Sequence, residues 1–213
     1  MSRASLDKLC RMAVLAFRNA LRLHEDAVFL YRHASYASAL GLSALSLEEV
    51  GKYSVLEDLA WHGVVEGRMC PHLEEKVIRK TYDHRYKQLK FSQDADLPIA
   101  TEVALRRLRD GSVERDKQSA FYVGLPRTGK RINTKGRISS PFRVTKRQAE
   151  RQITLVNDFF VVLTAGTLRD AYTVDIEEMD TVLTSELLNR LRTDWPKMNR
   201  TARRTHNAIM RLS

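Results

Sequence analysis

Residues 36–52 read Y-A-S-A-L-G-L-S-A-L-S-L-E-E-V-G-K. Ala37, Leu40, Ala44, Leu47, Gly51 and Val55 recur at three- and four-residue steps, the period of one face of an α-helix. Three of the six, Ala37, Ala44 and Gly51, are small, so a second helix can approach that face closely. The pattern predicts a long helix over 36–62, with Gly63 as its stop. Glu48 lies at the edge of the stripe, four residues before Lys52, an order that suits an ion pair along the helix. Glu49 points roughly the opposite way.

The same period recurs on both sides of this stretch. Leu9, Ala13, Ala16, Ala20, Ala27 and Leu30 predict a first helix over 5–32, and His33-Ala34-Ser35 a turn. Pro71 opens a third helix expected over 72–92. Leu73, Val77, His84 and Phe91 share one of its faces, and Ile78, Tyr82 and Leu89 nearly the opposite one. Two apolar faces predict a helix sandwiched within the domain or against a second subunit. Further helices are expected at 98–110, before Gly111, and at 146–168, 176–193 and 196–212, with Trp195-Pro196 breaking the last two apart. Residues 118–145 differ. They hold most of the turn formers and a β-like run, Ala120-Phe121-Tyr122-Val123, and predict a basic loop or small hairpin inserted between helices. The fold class is all-α: a helical domain over 1–170 carrying that insertion, and a C-terminal helical extension over 171–213 packed on it.

Composition narrows the function. The chain of 213 residues has 43% hydrophobic and 29% charged residues, the balance of a globular protein, and 9 Gly and 5 Pro argue against a β-sandwich. No apolar run approaches the roughly 18 residues that suggest a membrane span. Asp7, Lys8, Arg11 and Arg18 interrupt the N-terminal stretch, so no signal peptide is expected. Two cysteines, Cys10 and Cys70, cannot build a disulfide framework, and a cytoplasmic setting is expected. Cys70-Pro71-His72 offers two metal ligands that nothing nearby completes to the four of a structural zinc, so no metal site is expected. There is no P-loop, HExxH or GxSxG, and Gly124–Lys130 lacks Walker spacing, so no cofactor is expected either.

The net charge of +10 is unevenly spread. Residues 127–151 hold nine Lys/Arg and one Glu, and residues 190–213 hold seven and one Asp. These stretches carry +14 between them, leaving −4 for the remainder of a +10 chain. Such clusters suit a phosphate backbone or an acidic partner, and Arg127, Lys130, Arg131, Lys135, Arg137 and Arg143 are the candidate RNA contacts.

The stretch R79-K-T-Y-D-H84 supplies candidate chemistry. RNA cleavage without a metal needs a base for the ribose 2′-hydroxyl and cations for the developing phosphorane. Histidine titrates in the right range, and arginine grips phosphate oxygens in pairs. On one continuous helix, five residues turn about 140°, so Arg79 and His84 would face apart. Arg79 could instead pair with Asp83, and His84 could be a core histidine. The spacing Arg-x4–6-His occurs three times, at Arg18/His24, Arg79/His84 and Arg200/His206, where 25 Arg and 6 His give about two by chance.

Taken in order, four stretches resemble the AbiV family of abortive infection proteins in the HEPN superfamily (higher eukaryotes and prokaryotes nucleotide-binding). They are Tyr36–Leu40 running into Leu47-Glu48-Glu49-Val50-Gly51-Lys52, then His84-x-x-Lys87, then Lys117-x-x-x-Phe121-Tyr122-Val123, then Ser140-Pro141 before a helix near Thr145 with Ala149. The resemblance covers about residues 10–165. It implies a HEPN-like up-and-down helical bundle, a homodimer, and phage defence that shuts down host RNA or translation. In active HEPN members the Arg-x4–6-His motifs of two subunits form one metal-independent ribonuclease site. Carried over by position, His84 would be base or acid, Arg79 would hold the phosphate, and Glu48, Lys52 and Lys87 would flank the site. The match departs at Lys80, where active members often carry Asn, Asp or His. Other members only bind RNA or a partner. The implied partners are RNA (tRNA, mRNA or the ribosome), a second copy of the chain, and a phage-encoded activator or cognate inhibitor.

Overall fold

The structure, a computed structural model, describes residues 3–65, 71–94, 99–125, 127–128, 131–171 and 176–212. Two long helices, α1 (Arg3–Arg32) and α2 (Tyr36–Val65), form an antiparallel pair joined by a short turn with Ala34 at positive φ. Ser46 donates to the Ala20 carbonyl across their contact (2.7 Å), and small residues on both helices let them lie close. α7 (Lys146–Leu168) packs along the pair, started by Thr145 and Gln148 in a reciprocal capping box. The rings of Phe17, Tyr53 and Phe160 meet edge to face at the centre, with centroids about 5 Å apart.

Four short helices complete the site-bearing side: α3 (Pro71–Lys80), α4 (His84–Asp94), α5 (Glu102–Arg109) and α6 (Ser112–Phe121). Both α4 and α6 lie against α2, and α5 touches both of them. At the far end, α8 (Ser185–Asp194) and α9 (Arg200–Ile209) pack on α7, and Leu187, Leu191, Ala202 and Ile209 join the core that also holds Phe17 and Phe160. The fold is all-α, with one minimal antiparallel pair, β1 (Arg127–Thr128) and β2 (Arg131–Ile132), among the described residues. No helix among them is long and apolar enough to cross a membrane.

Several boundaries differ from expectation. α2 continues through Gly63 to Val65. The helix expected over 72–92 is two helices, because Thr81, Tyr82 and Asp83 close α3 with i→i+3 bonds to Ile78, Arg79 and Lys80. Asp83 then caps α4, its side chain accepting from the Tyr86 amide (3.0 Å). The two apolar faces of 72–92 arise only when one helical phase is carried across this break: Phe91 is buried, while Tyr82 is 75% exposed. The inserted loop begins later than expected, since Ala120 and Phe121 end α6 and only Tyr122 and Val123 are extended. Residues 112–117, with no expected element, and 118–121, expected in the inserted loop, form one helix, launched by Gly111 at φ 74°. The last two helices are shorter than expected because the side chains of Thr184 and Asn199 cap them late.

Candidate functional site

Glu48 is the centre of a charged cluster inside the helical bundle, with 1% of its surface exposed. A carboxylate so buried needs partners on every lone pair. Lys117 of α6 bonds Oε1 at 2.6 Å, and the side-chain amide of Gln88 donates to the same oxygen at 3.0 Å. On Oε2, His84 Nδ1 lies at 2.6 Å and Lys87 Nζ at 3.8 Å. Glu114, three residues before Lys117, closes the network by accepting from Lys117 at 2.8 Å and from Gln88 at 3.1 Å. Burial pushes the Lys117 ammonium down, but hydrogen bonds and charge from Glu114 and Glu48 outweigh it, and its pKa stands above the ordinary lysine value. Burial likewise pushes Glu114 up, and bonds from Lys117 and Gln118, with the charges of Lys117 and His84, hold it below the usual carboxylate range.

Gly51 explains how α4 reaches Glu48. A Cβ built there would stand 2.0 Å from the Lys87 carbonyl oxygen. The two backbones touch because Gly51 has no side chain, and the contact sets Lys87, with His84 one turn before it and Gln88 next to it in the chain, above Glu48. Glu48 and Gly51, three residues apart, thus face the same helix.

His84 is the most exposed member of the cluster, with 56% of its side chain exposed against 23% for Glu114. Glu48 can only accept at Nδ1, so Nδ1 carries the hydrogen and Nε2 is the free ring nitrogen. The ring is oriented by a carboxylate that is itself locked by Lys117, a constellation suited to moving a proton at Nε2.

The other expected site residues divide. Lys87 joins the cluster, whereas Lys52 does not bond Glu48: the i,i+4 pair gives way to the shorter contact with Lys117. Arg79 is not brought to Glu48. Its guanidinium holds Glu75 on the exposed side of α3 at 2.6 and 3.1 Å, in place of the expected pairing with Asp83. Because the chain turns at 81–83, Arg79 and His84 sit on separate helices, and the 140° separation of a single helix does not apply. Lys135, Arg137 and Arg143 are exposed, Lys130 lies outside the described residues, and so do the side chains of Arg127 and Arg131. Cys70 and the His72 side chain also lie outside them, and no group of three metal-ligating side chains occurs among the described residues.

The structure adds Gln88, Glu114 and Lys117 to the site. The spacing Glu114-x-x-Lys117 carries a signal in hindsight, an i,i+3 ion pair whose flanking residues Val113 and Ala120 are apolar and buried.

The family model described as AbiV, a HEPN family, matches residues 8–160. The chain belongs to the AbiV family. It is thereby an abortive-infection HEPN protein. The matched region contains every residue of the Glu48 cluster and ends within α7, before α8 and α9. No curated protein and no solved structure matches the chain significantly.

Proposed function

We propose that this AbiV protein is a metal-independent endoribonuclease effector that blocks host RNA function during phage infection. The observation that carries the reading is the exposed imidazole of His84, fixed through Nδ1 by the buried Glu48, which Lys117 holds from behind. In the reaction, His84 Nε2 takes the proton of a ribose 2′-hydroxyl, and the 2′-oxygen bonds the adjacent phosphorus. The P–O5′ bond breaks, and the leaving oxygen takes up a proton. The products are a 2′,3′-cyclic phosphate and a 5′-hydroxyl. Positioned proton transfer of this kind supplies about 10²–10⁴-fold in rate.

The developing phosphorane needs a cation. Arg79 is turned to Glu75 within its own subunit, and the site would be completed by Arg79 of a second copy, exchanging Glu75 for phosphate across a two-fold axis. An exposed pair of this kind is worth only a few tenths of a kcal/mol, so the exchange costs little. The basic residues of 127–151 would draw RNA to the cleft.

The test is cleavage of RNA in EDTA by wild type and by His84→Ala, with end-group analysis of the products. The reading expects cyclic phosphate ends from wild type and none from the variant; equal cleavage by both would remove His84 from the chemistry. The engagement of Arg79 with Glu75 also favours a second reading, an effector that binds RNA or the ribosome without cutting it. RNA binding without cleavage by the wild-type protein, at any concentration where dimers form, would select it.

A further inference from the structure

Exposed apolar side chains gather where α6 ends. Phe142 is 95% exposed, Val123 69%, Tyr122 63%, Ile138 53% and Phe121 41%. Covering such side chains removes apolar surface from water, so an exposed cluster of them marks a binding surface. The backbone beneath them is fixed. The Phe121 ring lies over Gly41, where a Cβ would stand 2.3 Å from it. Gly124 and Ser139 exchange backbone hydrogen bonds (3.1 and 2.8 Å), which puts Val123 and Ile138 on one face of the bridge. Ser140 caps the 3-10 turn Pro141–Arg143 that carries Phe142, and this turn packs on α2 and α6.

Cations surround the patch. Lys135, Arg137 and Arg143 are exposed, and none is paired with a carboxylate among the described residues. A second copy of the chain docked here would set like charge against like. A polyanion with flat apolar faces satisfies both features, and nucleic acid with unpaired bases has that chemistry. The patch also adjoins the cluster around Glu48. Phe121 is one turn past Lys117 on α6, and Gly41, under its ring, is two turns before Glu48 on α2, about 10 Å along the axis.

We propose that Tyr122 and Phe142 stack unpaired bases of the RNA whose backbone enters the His84 site, which makes single-stranded RNA the substrate class. The proposal rests on the ribonuclease reading for the cleavage that comes after binding, and its own test is binding. The full chain carrying His84→Ala, which leaves RNA intact on that reading, is titrated with a labelled single-stranded oligonucleotide and with its duplex, with and without Tyr122→Ala and Phe142→Ala. Each truncation is expected to weaken single-strand binding by about 5- to 100-fold, the range of one lost base stack. The slope of log K against log salt should stay the same, because no charge is removed, and duplex should bind more weakly throughout. Both side chains are exposed, so the variants should melt with the parent. Single-strand affinity unchanged by both truncations, or duplex bound as tightly as single strand, overturns the proposal. So does a fall in molecular mass by light scattering at constant RNA affinity, which would make the patch a self-association surface. If wild type binds as expected and never cuts, the ribonuclease reading fails and the platform stands; if wild type cuts while the truncated proteins bind normally, the platform alone fails.

Discussion

Two histidines, each preceded by arginine at the same kind of spacing, lie in contrasting polar surroundings. His84 stands 56% exposed above the Glu48 carboxylate. His24 is 2% exposed, its Nε2 3.0 Å from Asn157 Oδ1, and its ring packs edge to face on Phe160. Burial pushes the His24 imidazole down to about 4, against a slight opposing pull from Asn157 and Asp194. The third match ends at His206, 6% exposed, its pKa likewise lowered by burial. A histidine held neutral inside a core fixes a fold; one held by a carboxylate at the surface can exchange a proton with a ligand. The difference lies in what backs the ring, a neutral amide in one case and a carboxylate anchored by Lys117 in the other. The Arg-x4–6-His spacing is common to all three and decides nothing.

Substitutions sharpen this contrast. His84→Ala should lower RNA cleavage by about 10²–10⁴-fold, with a stability loss of about 1–3 kcal/mol because it removes one hydrogen-bond partner of the buried Glu48 carboxylate. His24→Ala should lower the melting temperature and leave activity per folded molecule in place. Cleavage rates and melts on the same two preparations check the pair, and matching profiles would erase the distinction. Next in size, Glu48→Ala takes the carboxylate partner from buried Lys87 and leaves buried Lys117 with Glu114 alone. Removing one partner of a buried pair costs about 3–5 kcal/mol, readable by urea denaturation.

pH separates the buried polar groups further. The folded-state pKa of His24 is depressed from 6.5 to about 4, so its contribution is present above pH 6.5 and is lost as pH falls toward 4. The loss should approach about 3 kcal/mol. Asp158, next to Asn157 on α7, has the opposite sign. Burial raises its carboxyl from 3.8 to about 8 despite hydrogen bonds from Asn199. Its contribution is fully present below 3.8 and is lost as pH rises through 8. Asp158→Asn should therefore remove a decline in stability between about pH 4 and 8, a decline that opposes the His24 contribution below pH 6.5; a variant curve that parallels wild type across this range would show that Asp158 keeps its charge. The smallest effect is that of Arg79→Ala on stability, at most a few tenths of a kcal/mol by thermal melts, because its partner Glu75 is exposed. A larger loss would mean that Arg79 supports the fold rather than waits for phosphate.

Much of the bundle is legible in the chain. The small-residue stripe of α2 announces a close helix contact, and Gly51 marks where it is closest. The AbiV-like order of motifs adds the family and the fold class. The site is less legible, for two physical reasons. Glu48 offers Lys52 as a local partner, and only tertiary packing reveals that Lys117, 69 residues away, wins. The facing of His84 depends on the break at Thr81–Asp83, and a continuous apolar pattern through that break masks the cap signal of Asp83. Tyr122 and Val123 look like a β-strand because the same apolar residues that suit a sheet also suit an exposed binding face.

The central claim is that Glu48 holds His84 with Nδ1 protonated and Nε2 turned to solvent. Long-range nitrogen–proton NMR of the histidine rings in the intact protein reads the tautomer directly. The account predicts the Nδ1–H form for neutral His84 in wild type and its loss in Glu48→Gln, with the His24 signals unchanged. An Nε2–H tautomer for His84 in wild type, or a spectrum indifferent to Glu48→Gln, would contradict it.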